Sequence, residues 1–442
     1  MPVQLTLNPN KTYQTMEGFG ASGAWWAQVV GGWPEAERKE ILKLLYDKDE
    51  GLGMNTYRYN LGSGSKASGK GNFPNKNRRT WSFLKADGSY DWERDKESVW
   101  CMKEAVRLGA REIVLFVNSP PERFTRSGMA QARLSALANL RRECEGDFVK
   151  YVLDAAEHFI AEGIPVKFIS PVNEPFGPWI EKSGQEGCHY HPSGVRRLFR
   201  LFAEEMDKRP ALVGVLLSGA ENNDLRIMNK AYTRAVLDDP VIAKRLDGID
   251  VHDYVFKPLK FLKGAKRRFR KHMDRRYPGV PVRMSEWTHM KGGRYYGMSS
   301  ALEQAKIMWE DLAVMNAVSW QHWIAVSEVD FCDGLLYIDE EVHAHSIPKR
   351  YYAMGNFSRF VPRGAVRVEI ECPSPALKCL AFQTPEHMAV IVINPTDKTI
   401  QVSLGEGKGE IHVTGEGKSL AHGAVDLAGF AVEAKSVNTI LL

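Results

Sequence analysis

The stretch FISPVNEPFG, Phe168 to Gly177, runs a short hydrophobic segment straight into an Asn-Glu pair and then a proline. Glutamate has poor strand propensity and resists burial. Pro175 has no amide hydrogen and cannot extend a ladder. The spelling predicts a buried strand that stops here, with the Glu174 side chain held at its C-terminal end. In a barrel of parallel strands, that end carries the chemistry.

Working outward, seven more segments read as strands. They are EGFGAS near Gly18, GMNTYRYNLG from Gly53, REIVLFVNSP from Arg111, LVGVLLSGAEN from Leu212, LDGIDVHDY from Leu246, VPVRMSEW from Val280 and AVSWQHWIAV from Ala317. Helical patterns lie between them. In DFVKYVLDAAEHFIAEG, Asp147 to Gly163, residues Phe148, Val152, Ala155, Ala156, Phe159 and Ile160 share one face at helical spacing. Asp147 is placed to cap this helix, and Gly163 suits the position just past its end. Further helices are expected from Glu35, Glu93, Gly194, Ser300 and Pro348. Strands alternating with helices predict an α/β chain with a (β/α)8 barrel over residues 15–360. A doubly wound sheet fits the alternation too, but no Gly-rich dinucleotide fingerprint follows the first strand.

After Phe360 the period changes to short alternating runs such as AVRVEIE, LKCLAFQ, MAVIVINP and SVNTILL, split by Gly, Pro, Asp and Lys. These predict an antiparallel β-sandwich. The opening VQLTLN is strand-like and able to pair with it, so residues 1–14 and 361–442 together form the expected side domain.

Bulk composition narrows the function. The 442 residues are 44% hydrophobic and 26% charged, with a formal net charge of +5. That charge is too weak to imply a nucleic-acid partner. The basic run KRRFRKHMDRR, Lys266 to Arg276, reads as a solvated helix face. The six cysteines are scattered and expected to be free thiols in a reducing compartment. MPVQLTLNPN lacks the features of a signal peptide, which suggests a cytoplasmic protein, or a secreted one whose leader has been removed. No apolar run is long enough to span a membrane.

A second carboxylate sharpens the reading. VRMSEW puts Glu286 at the end of the seventh strand, across a barrel mouth from Glu174 on the fourth. Paired carboxylates are what glycoside hydrolysis needs, one to protonate the leaving oxygen and one to attack or activate water. Asn173 is placed to donate to a sugar 2-hydroxyl, and Arg58 to reach Glu286 and keep it ionised. Glu174 must start protonated, so its surroundings should raise its pKa. His252, Tyr254 and Asn118 also end strands, with Tyr254 able to donate near Glu286. Trp25, Trp26, Trp179 and Trp320 offer flat apolar faces for sugar rings. Half-buried core tryptophans are the plainer reading of such residues. Cys188, His189 and His191 hint at zinc, but no second paired motif accompanies them. A loop lining the substrate cleft fits better than a metal site.

Taken as an ordered set, these motifs resemble glycoside hydrolase family 30. MEGFGASGAWWAQ looks like that family's first-strand motif, TYRYNLGSGS its second-strand Arg segment and NSPP its third-strand end. SPVNEP and MSEW resemble its acid/base and nucleophile segments, and YYAMGNFSRFVPRGAVRV its passage into the side sandwich. The resemblance implies Glu174 as acid/base, Glu286 as nucleophile, double displacement with retained configuration and no need of a cofactor or metal, and a carbohydrate partner. GASGAWWA is closest to the β-1,6-galactanase and β-fucosidase branches. Glucosylceramidase-like, xylanase-like or uronic-acid-specific action, or a silent carbohydrate-binding protein, are the alternatives. Two departures stand out. ERF follows NSPP where an aromatic-Trp-Met run is common, and His322 replaces a common Tyr. Arg123 in that ERF either binds an acidic sugar or pairs with Glu122.

Overall fold

The computed structural model describes residues 2–134, 137–226, 228–254 and 264–442. All eight expected barrel strands form: β1 (Gly18–Ser22), β2 (Thr56–Asn60), β3 (Glu112–Phe116), β4 (Val166–Ser170), β5 (Leu216–Leu217, resuming at Ala220–Asn222), β6 (Ile249–His252), β7 (Val282–Trp287) and β8 (Ala317–His322). The nine segments run in the order first half of β5, β4, β3, β2, β1, β8, β7, β6, second half of β5. A sheet that begins and ends on the same strand has closed into a barrel. Neighbours from β2 to β7 pair in parallel. Strands such as EIVLF are buried along their whole length, as parallel strands covered on both faces must be.

Some elements differ from expectation. The helix expected from Asp147 begins at Glu145, so Asp147 sits inside the first acidic turn and makes no side-chain cap. Its far end is as expected, with Gly163 at φ +81° just past Glu162. The β5 ladder starts at Leu216, because Pro210–Leu212 forms a 3-10 turn. A helix at Asn229–Leu237 was not anticipated. The basic run is the helix Ala265–Arg276, which buries Phe269 and Met273 and turns most of its cations outward.

The chain divides into two compact units. One comprises Ala21–Leu42 and Thr56–Trp287, and so holds β2 to β7. The other comprises Met1–Gly20, Lys43–Asn55 and Thr288–Leu442. In the second unit a seven-stranded antiparallel sheet places Thr6–Thr15 beside Val366–Glu371, then Lys378–Gln383, Met388–Asn394, Ser436–Leu441, Lys408–Gly415 and Lys418–Asp426. A three-stranded sheet joins Val3–Gln4, Ile400–Ser403 and Phe430–Val432. Both N-terminal strands therefore pair with the C-terminal ones, Val3 opposite Val402 and Val366 opposite Thr15. Leu5, Val368, Val390, Val402, Phe430 and Ile440 fill the space between the sheets. Among the described residues no helix is long and apolar enough to cross a membrane.

Candidate active site

The C-terminal ends of β2, β4, β5, β6 and β7 converge on one buried cluster. Arg58, Glu174, Glu221, His252 and Glu286 are each less than one-tenth exposed. Arg58 donates to Glu286 Oε2 at 2.8 Å and to Glu221 Oε2 at 2.9 Å. Its guanidinium lies 4.4 Å from the Phe116 ring centre. His252 stands between two carboxylates, Nδ1 at 3.0 Å from Glu174 Oε1 and Nε2 at 2.8 Å from Glu221 Oε2. Tyr254 donates to Glu286 Oε1 at 3.1 Å.

Local irregularities aim these groups. Successive residues of a regular strand face opposite ways. Yet Ser285 Oγ donates to Glu221 at 3.2 Å while the next residue, Glu286, meets Arg58. A register shift between Met284 and Glu286 opposite β6 lets both point inward, and another between Ala220 and Asn222 does the same for Glu221, at φ +50°. Bulges beside active sites commonly re-aim side chains in this way. Glu174 is also left-handed, at φ +44°, with its amide donating to the Glu221 carbonyl at 3.0 Å.

Electrostatics separate the carboxyl groups. Burial raises the Glu174 pKa, against the pull of His252 and with help from Glu286 and Glu221. Burial also opposes ionisation of Glu221, but the charge of Arg58 and the contacts of His252 and Ser170 outweigh it, and its pKa falls to about 2. His252 is pushed up to about 10, because Glu286, Glu174 and Glu221 overcome the effect of burial. Donor atoms of Glu174, His252 and Glu286 all lie within 4.8 Å of one another. Such a trio can also hold a cation, but here both imidazole nitrogens face carboxylates. A second trio, Glu410, His412 and His422, sits on the sandwich hairpin in the other compact unit, with two of its members exposed.

The other residues expected in the site fall into place unevenly. Asn173 donates to Asn118 Oδ1 at 3.0 Å, and its own buried Oδ1 meets no hydrogen-bond partner among the described residues. Trp179 donates to the Glu174 carbonyl at 2.8 Å. It lies in a slot where a Cβ on Gly177 or Gly187 would come within 2.4 Å of its ring. Trp25 is buried, with the Arg78 guanidinium 4.7 Å from its ring centre. Trp26 and Trp320 are fully buried and offer no accessible face to a sugar, which corrects the expectation of stacking there. Their indole N–H groups donate to the Ser22 carbonyl and to Asp311 Oδ2. Arg123 is exposed and donates to the Lys85 carbonyl at 3.0 Å. Cys188 is buried, its thiol directed at the His189 carbonyl, and His189 lies edge-on to His191. His322 is buried too, with Nε2 2.7 Å from the Asp333 carbonyl.

Sequence reading missed Glu221 and the serines around it. Ser170 donates to Glu221 Oε1 at 2.7 Å and Ser218 at 3.3 Å. The signal was present: SGAEN ends β5 on a carboxylate beside an asparagine, as VNEP ends β4.

Residues 2–239 match the family model "O-Glycosyl hydrolase family 30", and residues 364–440 match "Glycosyl hydrolase family 30 beta sandwich domain". An endo-beta-1,6-galactanase of Hypocrea rufa is 25% identical over 390 residues, covering 81% of this chain and 75% of its own. The lysosomal acid glucosylceramidase of Mus musculus is 21% identical over 430 residues, 91% of this chain and 79% of that one. Among solved structures, a conserved exported protein from Bacteroides fragilis superposes with a TM-score of 0.90 at 24% identity, over 99% of this chain and 100% of that one.

Proposed function

The chain belongs to glycoside hydrolase family 30, and from that premise we propose that it is a retaining β-glycosidase with Glu174 as acid/base and Glu286 as nucleophile, acting on β-1,6-linked galactan or galacto-oligosaccharides. One observation carries the mechanism: donor oxygens of Glu174 and Glu286 lie within 4.8 Å of each other. Retaining enzymes hold the two carboxyl groups ~5–5.5 Å apart, whereas inverting ones keep roughly 6.5–9.5 Å to admit a water.

In the first step a Glu286 oxygen attacks the anomeric carbon. The glycosidic C–O bond breaks, and the Glu174 proton goes to the leaving oxygen. A covalent glycosyl-enzyme results, with Glu174 now a carboxylate. A water then attacks the same carbon, giving its proton to Glu174 and releasing Glu286. Arg58 and Tyr254 fix the two Glu286 oxygens, one to each. The unsatisfied Asn173 Oδ1 is suited to accept from a sugar hydroxyl. In this reading the carbohydrate substrate lies over the barrel mouth, above Glu174 and Glu286.

The galactan reading rests on GASGAWWA and on likeness to the fungal endo-β-1,6-galactanase. A second reading, uronic-acid specificity, is favoured by the exposed Arg123, which stands where an aromatic segment is common. Product analysis by mass spectrometry separates them. β-1,6-galacto-oligosaccharides, gluco-oligosaccharides, xylo-oligosaccharides and aldouronic acids are offered side by side, with Glu286→Gln as control. Cleavage of the galactosides alone supports the first reading, and cleavage of aldouronic acids alone overturns it. Turnover by Glu286→Gln equal to wild type removes the nucleophile assignment.

A further inference from the structure

The active-site cluster holds one carboxylate more than a pair of catalytic groups requires. Counting Arg58 and His252 as cations and Glu174, Glu221 and Glu286 as anions leaves three negative charges against two positive. A buried site resists a net charge, and a carboxyl within it relieves that charge by keeping a proton. Donors decide which one does. Glu221 receives five: Arg58, His252 and Ser285 on Oε2, and Ser170 and Ser218 on Oε1. Glu286 receives Arg58 and Tyr254. Glu174 faces His252 alone among the described side chains. The proton therefore resides on Glu174, the carboxyl least supplied with donors.

We propose that Glu221 is a positioning residue, a permanent buried anion that balances the charge of the His252 imidazolium and so leaves the proton on Glu174. It acts through His252, reaching the imidazole from the side opposite Glu174. This inference rests on the reading of Glu174 as the acid. The groups facing His252 support it. Glu174 comes from the loop after β4, Glu221 from β5 and Glu286 from β7, the last at 3.7 Å from Nδ1. Tyr254 lies edge-on at 5.9 Å, and Arg58 stands behind Glu221 and Glu286. On β6 itself Asp250 accepts from the Gly219 amide, and just past the strand Asp253 is paired with Arg226 at 2.7 Å. The directions already described, His252 and Glu174 raised and Glu221 lowered, agree with this proton inventory.

Glu221→Gln removes the charge and keeps the shape. The cluster is then neutral with one proton shared between His252 and Glu174. Imidazole is the stronger base of the two, so His252 retains the proton and Glu174 ionises. The acid is lost although its side chain is untouched. A leaving group that needs no proton reveals this. On an oligosaccharide that the wild-type enzyme cleaves, kcat/KM should fall on the order of 10²-fold or more. On the 2,4-dinitrophenyl glycoside of the same sugar the loss should be under about tenfold. The alkaline limb of the pH profile should move down by at least about one pH unit, and Glu221→Asp, which keeps the charge, should restore it.

Equal losses on both substrates, or an unmoved alkaline limb, overturn the inference. Glu174→Gln separates this failure from that of the underlying reading. If Glu174→Gln shows the leaving-group split and Glu221→Gln does not, only the role of Glu221 is wrong. If Glu174→Gln loses both activities equally, Glu174 is not the acid and the inference falls with it. Should Glu221→Gln not fold, imidazole 15N shifts of the wild-type protein, assigned by loss of signal in His252→Gln, serve instead. An imidazolium persisting at pH 8 supports the inference, and a neutral ring at pH 7 overturns it.

Discussion

Arg58→Met is the perturbation that most directly weighs the buried charge cluster. Methionine keeps much of the side-chain length but removes the guanidinium that bridges Glu221 and Glu286. In the folded protein Glu221 sits near pKa 2 against an ordinary 4.5. At 1.36 kcal/mol per pH unit that lowering is worth about 3 kcal/mol. Because the folded pKa is depressed, this stability is present above about pH 4.5 and is lost as pH falls towards 2. Breaking a buried ion pair by deleting one partner costs about 3–5 kcal/mol, a similar figure. With unfolding entropy of about 2.1 cal/mol/K per residue, a chain of 442 residues has roughly 0.9 kcal/mol/K. The Tm should therefore drop by about 3–5 °C at pH 7.

The pH dependence is the sharper test. Without Arg58 the buried cluster carries one uncompensated negative charge more, and a carboxyl within it takes up a proton in the folded state. A raised carboxyl binds a proton in the folded state that the unfolded chain releases above about pH 4.5. Stability of the variant then declines as pH rises, so its deficit against wild type should widen between pH 4.5 and 7. Differential scanning calorimetry at half-unit steps reads this. A Tm within about 1 °C of wild type at pH 7, or a deficit that narrows with rising pH, would refute the account of the cluster.

Two further outcomes are expected. Arg123→Ala should leave hydrolysis of neutral glycosides within about twofold, since the side chain is exposed and bonds only to the Lys85 carbonyl among described partners. A selective loss of kcat/KM on aldouronic acids would give Arg123 a substrate contact, whereas equal loss on both kinds removes the uronic-acid idea. Trp320→Phe should lower stability by about 1–3 kcal/mol, read as Tm, because it deletes the donor at 3.0 Å from the buried Asp311 carboxylate. An unchanged Tm would contradict the structural role assigned to that indole.

Much of the barrel was legible because its signals are local. Each β strand is a hydrophobic run ended by polar or breaking residues, and each strand end announces a side chain placed at the mouth. VNEP and SEW gave Glu174 and Glu286 by that logic alone. VQLTLN was read as a partner of the C-terminal strands, and its two segments do pair there. The tryptophans were less legible. Flat rings suit both sugars and cores, and only packing shows that Trp26 and Trp320 are enclosed. The helix at Asn229–Leu237 and the strands Lys418–Asp426 and Phe430–Val432 were missed for a related reason. Asn229–Leu237 spans nine residues and Phe430–Val432 three, while Lys418–Asp426 buries only Val425, so none of them marks a clear face until neighbours supply it.

The sequence by itself determined the strand order, the carboxylates at the ends of β4 and β7, and the family, since these depend on residue types in succession. Only the tertiary structure decided the charge balance of the site. Register shifts in β5 and β7 turn Glu221 and Ser285 inward, and the closure of the sheet brings Arg58, His252 and Glu221 within hydrogen-bond reach. Proton affinity depends on distance and burial, so which carboxyl keeps its proton is a property of residues 58, 174, 221, 252 and 286 assembled together.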